Sequence, residues 1–203
     1  SEIKHSRYLG SYGRGTDIRN HSDVDLAIEL PWDLYTKYNS YQYNGQSALL
    51  QAVRQSIRKT YPSTDVGGDG QVVVVQFGDR IKFEVVPVFQ HSDGRYTYPD
   101  SNNGGRWRTT DPVSEIQIIN VSNYTYKKKV KHLARMMRAW KQQNNVPIKG
   151  LLIDTLAYNF MFTWKYNDKS FLYYDWMTRD FLIFLANQDK NQSYWLAPGS
   201  REK

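Results

Sequence analysis

Among its 203 residues the chain has no cysteine. That excludes a disulfide framework and thiolate zinc sites, and it suits a reducing cytoplasm. No apolar run approaches the ~20 residues a membrane-spanning helix needs, so a membrane is not an expected partner. The opening Ser1-Glu2-Ile3-Lys4-His5 lacks the character of a secretory signal. There is no internal repeat and no low-complexity segment. What the chain does have is 40% hydrophobic and 15% aromatic residues, enough for a proper core in one domain or two joined lobes. Lys and Arg number 27 against 20 Asp and Glu, a net charge of +7. Such a surplus favours polyanions such as nucleoside triphosphates or nucleic acid, although a merely soluble basic protein has the same balance.

One stretch organises the rest. After the short apolar pair Tyr8-Leu9 comes the small turn Gly10-Ser11-Tyr12-Gly13-Arg14-Gly15, and further on Asp23-Val24-Asp25-Leu26. In a strand, residues i and i+2 share a face. Asp23 and Asp25 therefore present their oxygens side by side, with Val24 and Leu26 turned to the core. Two carboxylates that close repel unless a cation lies between them, and a hard divalent cation with oxygen ligands is the usual solution. A third carboxylate, Glu84, interrupts the apolar run 81–89 and needs a partner, since a bare buried charge costs several kcal/mol; a shared metal or a salt bridge would serve. The Gly10-Ser11 turn offers close backbone approach and a hydroxyl donor, as phosphate binding requires; an ordinary strand-to-helix turn has the same residues. Arg14 and Arg19 flank it, within reach of phosphates or of solvent.

The remaining chain reads as alternating elements. A strand is expected over 6–9 and another from Val24 to Leu30, ended by Pro31. The tyrosine-rich 32–44 reads as a loop. Residues 45–61 carry a helix-period stripe of Ala48, Leu49, Ala52, Val53 and Ile57, with Arg54, Arg58 and Lys59 outside. The β-branched run 71–77 is a buried strand, turned back through Gly78-Asp79-Arg80 into strand 81–89. Residues 91–120 read as a loop, with the join between lobes at 111–120. Helices are expected over 123–144, with Lys131, Arg135 and Arg138 along a basic face, and over 149–164 and 173–185. Residues 188–203 read as a polar tail.

The ordered set resembles the polymerase-β-like nucleotidyltransferases: Gly-Ser, then Asp-x-Asp, then a carboxylate in an apolar strand followed by Val86-Pro87. The stretch from Gly10 to Leu26, with Phe83-Glu84-Val85-Val86-Pro87-Val88-Phe89, Met136-Met137-Arg138-Ala139-Trp140-Lys141 and Leu151-Leu152-Ile153-Asp154-Thr155-Leu156-Ala157-Tyr158, narrows this to the oligoadenylate synthetases and the bacterial cGAS/DncV-like enzymes (CD-NTases). The resemblance implies an α+β fold, with a catalytic sheet lobe over 1–115 and a helical nucleotide-binding lobe over 116–203. The family's long helix before the Gly-Ser turn has no counterpart here, so the sequence reads as trimmed at its start, and its end reads as a truncation or a flexible tail.

The same resemblance implies template-independent synthesis of cyclic or short linear oligonucleotide second messengers from NTPs, with pyrophosphate released, in cytoplasmic bacterial anti-phage signalling. Asp23, Asp25 and Glu84 would be the catalytic metal ligands for two Mg²⁺ ions, or Mn²⁺ in their place. Gly10, Ser11, Tyr12 and Arg14 would bind nucleotide. Arg138, two before the aromatic Trp140, takes the place of the family's triphosphate-binding base; Arg135 and Lys141 are further candidates. Where relatives have Ser or Gln at the start of the next helix this chain has Gly150, so that contact is lost or replaced by Lys149. Tyr12, Trp107 or Tyr158 would stack bases. An activating partner, protein or nucleic acid, is compatible with this reading. The alternatives are a transferase modifying RNA, protein or a small molecule, and a catalytically idle nucleic-acid-binding module.

Overall fold

The computed structural model describes residues 5–19, 23–77 and 81–203. The chain forms two compact units that interleave in sequence. One comprises Ser1–Gly13 and Asp23–Pro112, the other Arg14–Ser22 and Val113–Lys203. His21 and the turn 78–80 lie outside the described residues.

The first unit is built on a mixed sheet. Its strands are β1 (Ser6–Tyr8), β2 (Val24–Glu29), β3 (Asp65–Val66), β4 (Val73–Gln76), β5 (Lys82–Gln90), β6 (Tyr96–Asp100) and β7 (Arg106–Thr110). The order is β1-β2-β5-β4-β3, with β6 joined to the end of β5 and β7 to β6. Only β2 and β5 run parallel among these pairs. Pro87 would ordinarily disrupt a central strand, because it has no N–H for the ladder. Here β4 has ended at Val73↔Val85 and β6 begins only at Phe89↔Thr97, so the missing donor falls in a gap.

Helices α1 (Gly10–Arg14), α2 (Trp32–Asn39) and α3 (Gly45–Thr60) complete this part of the chain. The core joins Tyr38, Leu49, Leu50 and Val53 to Val66, Val73, Val75, Val85 and Phe89. Arg54 and Arg58, expected on the outside of α3, both donate to the Val66 carbonyl and tie the helix to the edge strand.

Three sequence expectations are corrected here. Residues 32–39 are helical rather than loop, with Pro31 before the first turn, Asp33 within it and Tyr38 buried. Residues 96–110 form a hairpin rather than a loop. Its turn is organised by Asp100, which accepts bonds from the Asn102 backbone and side chain and pairs with Arg106 and Arg108. Residues 112–120, expected as part of that loop, are helical, and the helix expected over 123–144 is split between the end of that helix, α4 (Pro112–Thr125), and α5 (Lys129–Gln143). Lys127 and Lys128 break it by taking left-handed conformations. Lys129, almost wholly buried, donates to the carbonyls of Tyr126 and Asn167. Burial, and then the neighbouring Lys127, pull its pKa below the ordinary lysine value.

In the second unit α4 and α5 are followed by α6 (Gly150–Thr163) and α7 (Tyr174–Ala186). Val130, Leu133, Ala134 and Met137 recur at helical spacing on α5 and bury against Ile153, Leu156, Ala157, Phe160, Met177 and Phe181. No helix among the described residues is long and apolar enough to cross a membrane.

Candidate active site

The Gly-Ser turn is fixed to the strand that bears the carboxylates. The Leu9 amide donates to the Asp25 carbonyl at 2.8 Å, and the Gly13 amide closes the turn onto the Leu9 carbonyl at 2.7 Å. Gly10 has φ +54, and a Cβ there would run into the Asp25 carboxylate. Glycine is thus needed both for the left-handed backbone and for the space. The result is a carboxylate lying directly against the start of α1. Ser11 is half-buried, and Tyr12 is exposed beside the Tyr8 ring.

Parallel pairing of β2 and β5 sets Asp25 opposite Glu84. Asp23 stands one residue before β2, and Lys82 lies two before Glu84 on the same face of β5. The Lys82 ammonium bridges the two acids, at 2.6 Å from Glu84 Oε1 and 3.0 Å from Asp23 Oδ2. Its pKa is pushed up to about 12, chiefly by the hydrogen bond to Glu84 and, against some loss from burial, by Asp23 as well. The cluster is open to water: the Asp23, Lys82 and Glu84 side chains are 50%, 35% and 24% exposed. Ala27 and Val24 are buried, whereas Leu26 is only half-buried.

The expected meeting of Asp23, Asp25 and Glu84 on a common cation is not reached in this arrangement. Among the described residues no three His, Cys, Asp or Glu side chains stand close enough to hold a metal ion. Lys82 instead brings the positive charge to two of the acids. The donor set nevertheless fits a hard cation: the ligands are carboxylate oxygens on adjacent strands, two of them already bracket a charge, and Gly10 leaves room for the third.

Two of the expected phosphate-binding residues are placed differently. Arg14 is buried, with Nη1 3.1 Å from Glu115 Oε2 and Nε 2.9 Å from Asp154 Oδ2. Arg138 donates through Nε and Nη2 to both oxygens of Asp154, at 3.2 and 2.7 Å. Asp154 is fully buried and also accepts from Thr16, while Glu115 accepts from Ser200. The anion partners expected of Arg14 and Arg138 as phosphates are therefore carboxylates inside the helical unit. Gly150 has a matching explanation, since any side chain there would collide with the Arg138 guanidinium. Arg135 and Lys149 are exposed and Lys141 is half-buried.

Lys82, Glu115, Thr16 and Asp154 were not singled out from sequence. Two carried a readable signal. Lys82 shares the strand face of Glu84, and Asp154 interrupts the apolar run 151–158 much as Glu84 interrupts its own.

The profile of the Second Messenger Oligonucleotide or Dinucleotide Synthetase domain matches residues 1–123. The chain belongs to this family. No curated protein matches by sequence. Solved structures agree on the fold. The CdnE cyclic dinucleotide synthase of Elizabethkingia meningoseptica, with GTP and Apcpp, is 16% identical with TM-score 0.67, over 89% of this chain and 68% of that one. The STING-associated CdnE c-di-GMP synthase of Capnocytophaga granulosa is 16% identical with TM-score 0.70, over 90% and 60%. The Vibrio cholerae DncV cyclic AMP-GMP synthase is 14% identical with TM-score 0.67, over 96% and 56%. The chain thus spans little more than half to about two thirds of these relatives, and the likeness establishes the α+β, polymerase-β-like fold of the family.

Proposed function

We propose that this chain is a nucleotidyltransferase that joins nucleoside triphosphates into cyclic or short linear oligonucleotide second messengers, releasing pyrophosphate. The observation that carries the reading is the seating of the Asp25 carboxylate against the Gly10-Ser11 turn, with Asp25 in register with Glu84 of the adjacent parallel strand. This neighbourhood supports a site in which the turn would bind phosphate and the carboxylates a cation. Family membership and the synthase activities named for the three relatives support it.

Asp23, Asp25 and Glu84 would hold Mg²⁺, or Mn²⁺ in its place. Bound there, the metal would lower the pKa of the acceptor ribose hydroxyl and neutralise the departing pyrophosphate. The Ser11 hydroxyl would donate to the triphosphate. Arg135, Lys141 and Lys149 would supply positive charge for its outer phosphates, and Tyr12 would offer an exposed ring for a base. Arg138 serves through its fixed pairing with Asp154, which sets the plane of the guanidinium. The protein does little covalent chemistry; positioning and charge stabilisation dominate. A cytoplasmic site of action in anti-phage defence fits this chemistry.

The test is mass spectrometry of products from the four mixed triphosphates with Mg²⁺, comparing wild type with the doubly substituted Asp23→Asn, Asp25→Asn protein. Short phosphatase-resistant or linear oligonucleotides from wild type alone support the proposal. Equal yields from both proteins contradict it.

A further inference from the structure

The bridge made by Lys82 has a consequence for the acids it joins, given the reading of Asp23, Asp25 and Glu84 as metal ligands. We propose that Lys82 is a tethered cation that holds Asp23 and Glu84 in the metal-free protein and must be displaced before a divalent ion can bind them. Glu84 Oε1 and Asp23 Oδ2 both point at the ammonium, from 2.6 and 3.0 Å. An ammonium and a divalent cation satisfy the same oxygen lone pairs and the same negative charge, so the two compete for these atoms. Without either, carboxylates crowded at the start of β2 and β5 repel one another. The lysine thus keeps the acids gathered and fixes the threshold at which metal enters.

The surroundings allow the exchange. Lys82 is 35% exposed and stands at the first position of β5, on a flexible four-carbon stem. Its ammonium can swing into water without disturbing the ladder to β2 and β4, which is made by backbone. Exposed pairs of this kind are individually weak. They can order the acids and still yield to a divalent ion. Asp25, packed against Gly10, is the third ligand in this reading.

The probe is Mn²⁺ alone, titrated into the full chain without nucleotide and followed by the electron paramagnetic resonance of the free ion. Lys82→Met removes the competitor and is tolerated at a partly exposed position, which a cooperative melt verifies. It is expected to bind Mn²⁺ roughly 3- to 10-fold more tightly than wild type, the size expected for releasing two weak pairs. Lys82→Arg keeps a cation and gains no affinity. In EDTA the Lys82→Met protein melts below wild type, and saturating Mn²⁺ closes or reverses that gap. Adding Asp25→Asn to Lys82→Met abolishes the tightened binding.

Equal or weaker Mn²⁺ binding by Lys82→Met, where wild type does bind, overturns the displacement and leaves the metal site standing. Tight binding that survives Asp25→Asn overturns it also, because the ion then sits elsewhere. Absence of binding in both wild type and Lys82→Met removes the metal reading itself, and this inference with it.

Discussion

Two acid–base clusters in this chain have similar composition and opposite surroundings. In the sheet unit Lys82 joins Asp23 and Glu84 with side chains 24–50% exposed. In the helical unit Arg14 and Arg138 meet Asp154 and Glu115 with side chains at most 12% exposed. Exposed ion pairs contribute at most about 1 kcal/mol and can re-partner. Buried pairs cannot, because removing one member strands an uncompensated charge at a cost of about 3–5 kcal/mol. The open cluster is therefore suited to exchange partners during a reaction, and the closed one to holding the helical unit together. Similar residue types are assigned to chemistry or to structure by their access to water.

The largest effect separates the clusters by function. Glu84→Gln is expected to lower nucleotide transfer by at least about 10²-fold, in line with removal of a charge-stabilising group, while the denaturation midpoint stays near wild type. A steady-state assay beside a urea melt measures both; retained turnover would break the contrast. Next comes the reverse substitution in the buried cluster. Asp154→Ala leaves Arg14 and Arg138 facing each other and should cost about 3–5 kcal/mol of stability by urea denaturation. A loss below about 1 kcal/mol would show that the buried network is not structural.

Gly150→Ala probes the same network more gently. Its Cβ meets the Arg138 guanidinium, and the resulting shift is expected to cost about 1–3 kcal/mol, as overpacking does. Unchanged stability and an unchanged triphosphate KM would mean that Arg138 moves freely.

Asp100 offers the smallest and most graded test. Burial works against its charged form, but bonds from the Asn102 backbone and side chain and from Arg106 outweigh it and hold the pKa below the ordinary aspartate value. A depressed carboxylate stabilises the fold above its unfolded pKa, and that contribution fades as pH falls through the folded value. The stability gap between wild type and Asp100→Asn should thus be full near neutrality and close below about pH 4. A gap independent of pH would remove the charge from the explanation.

How much of this was legible in the sequence follows from the range of the interactions. Strands β2, β4 and β5 and helices α3, α6 and α7 announce themselves by local periodicity, and the carboxylates by their spacing in apolar strands. The hairpin at 96–110 escaped because its turn is set by Asp100 reaching Arg106 and Arg108, not by an apolar alternation. Helix α2 escaped because its tyrosines read as loop while one of them, Tyr38, is core. The assignment of residues 14–22 to the helical unit could not be seen at all. It includes Arg14 pairing with a residue 140 positions away, and nothing local to the Gly-Ser turn marks that arginine as buried.

The most direct test of the account is product formation by Asp25→Asn beside wild type, with melting curves taken on the same preparations. The account predicts oligonucleotide product from wild type, none above background from Asp25→Asn, and superimposable melts. Wild-type levels of product from a folded Asp25→Asn protein would contradict it.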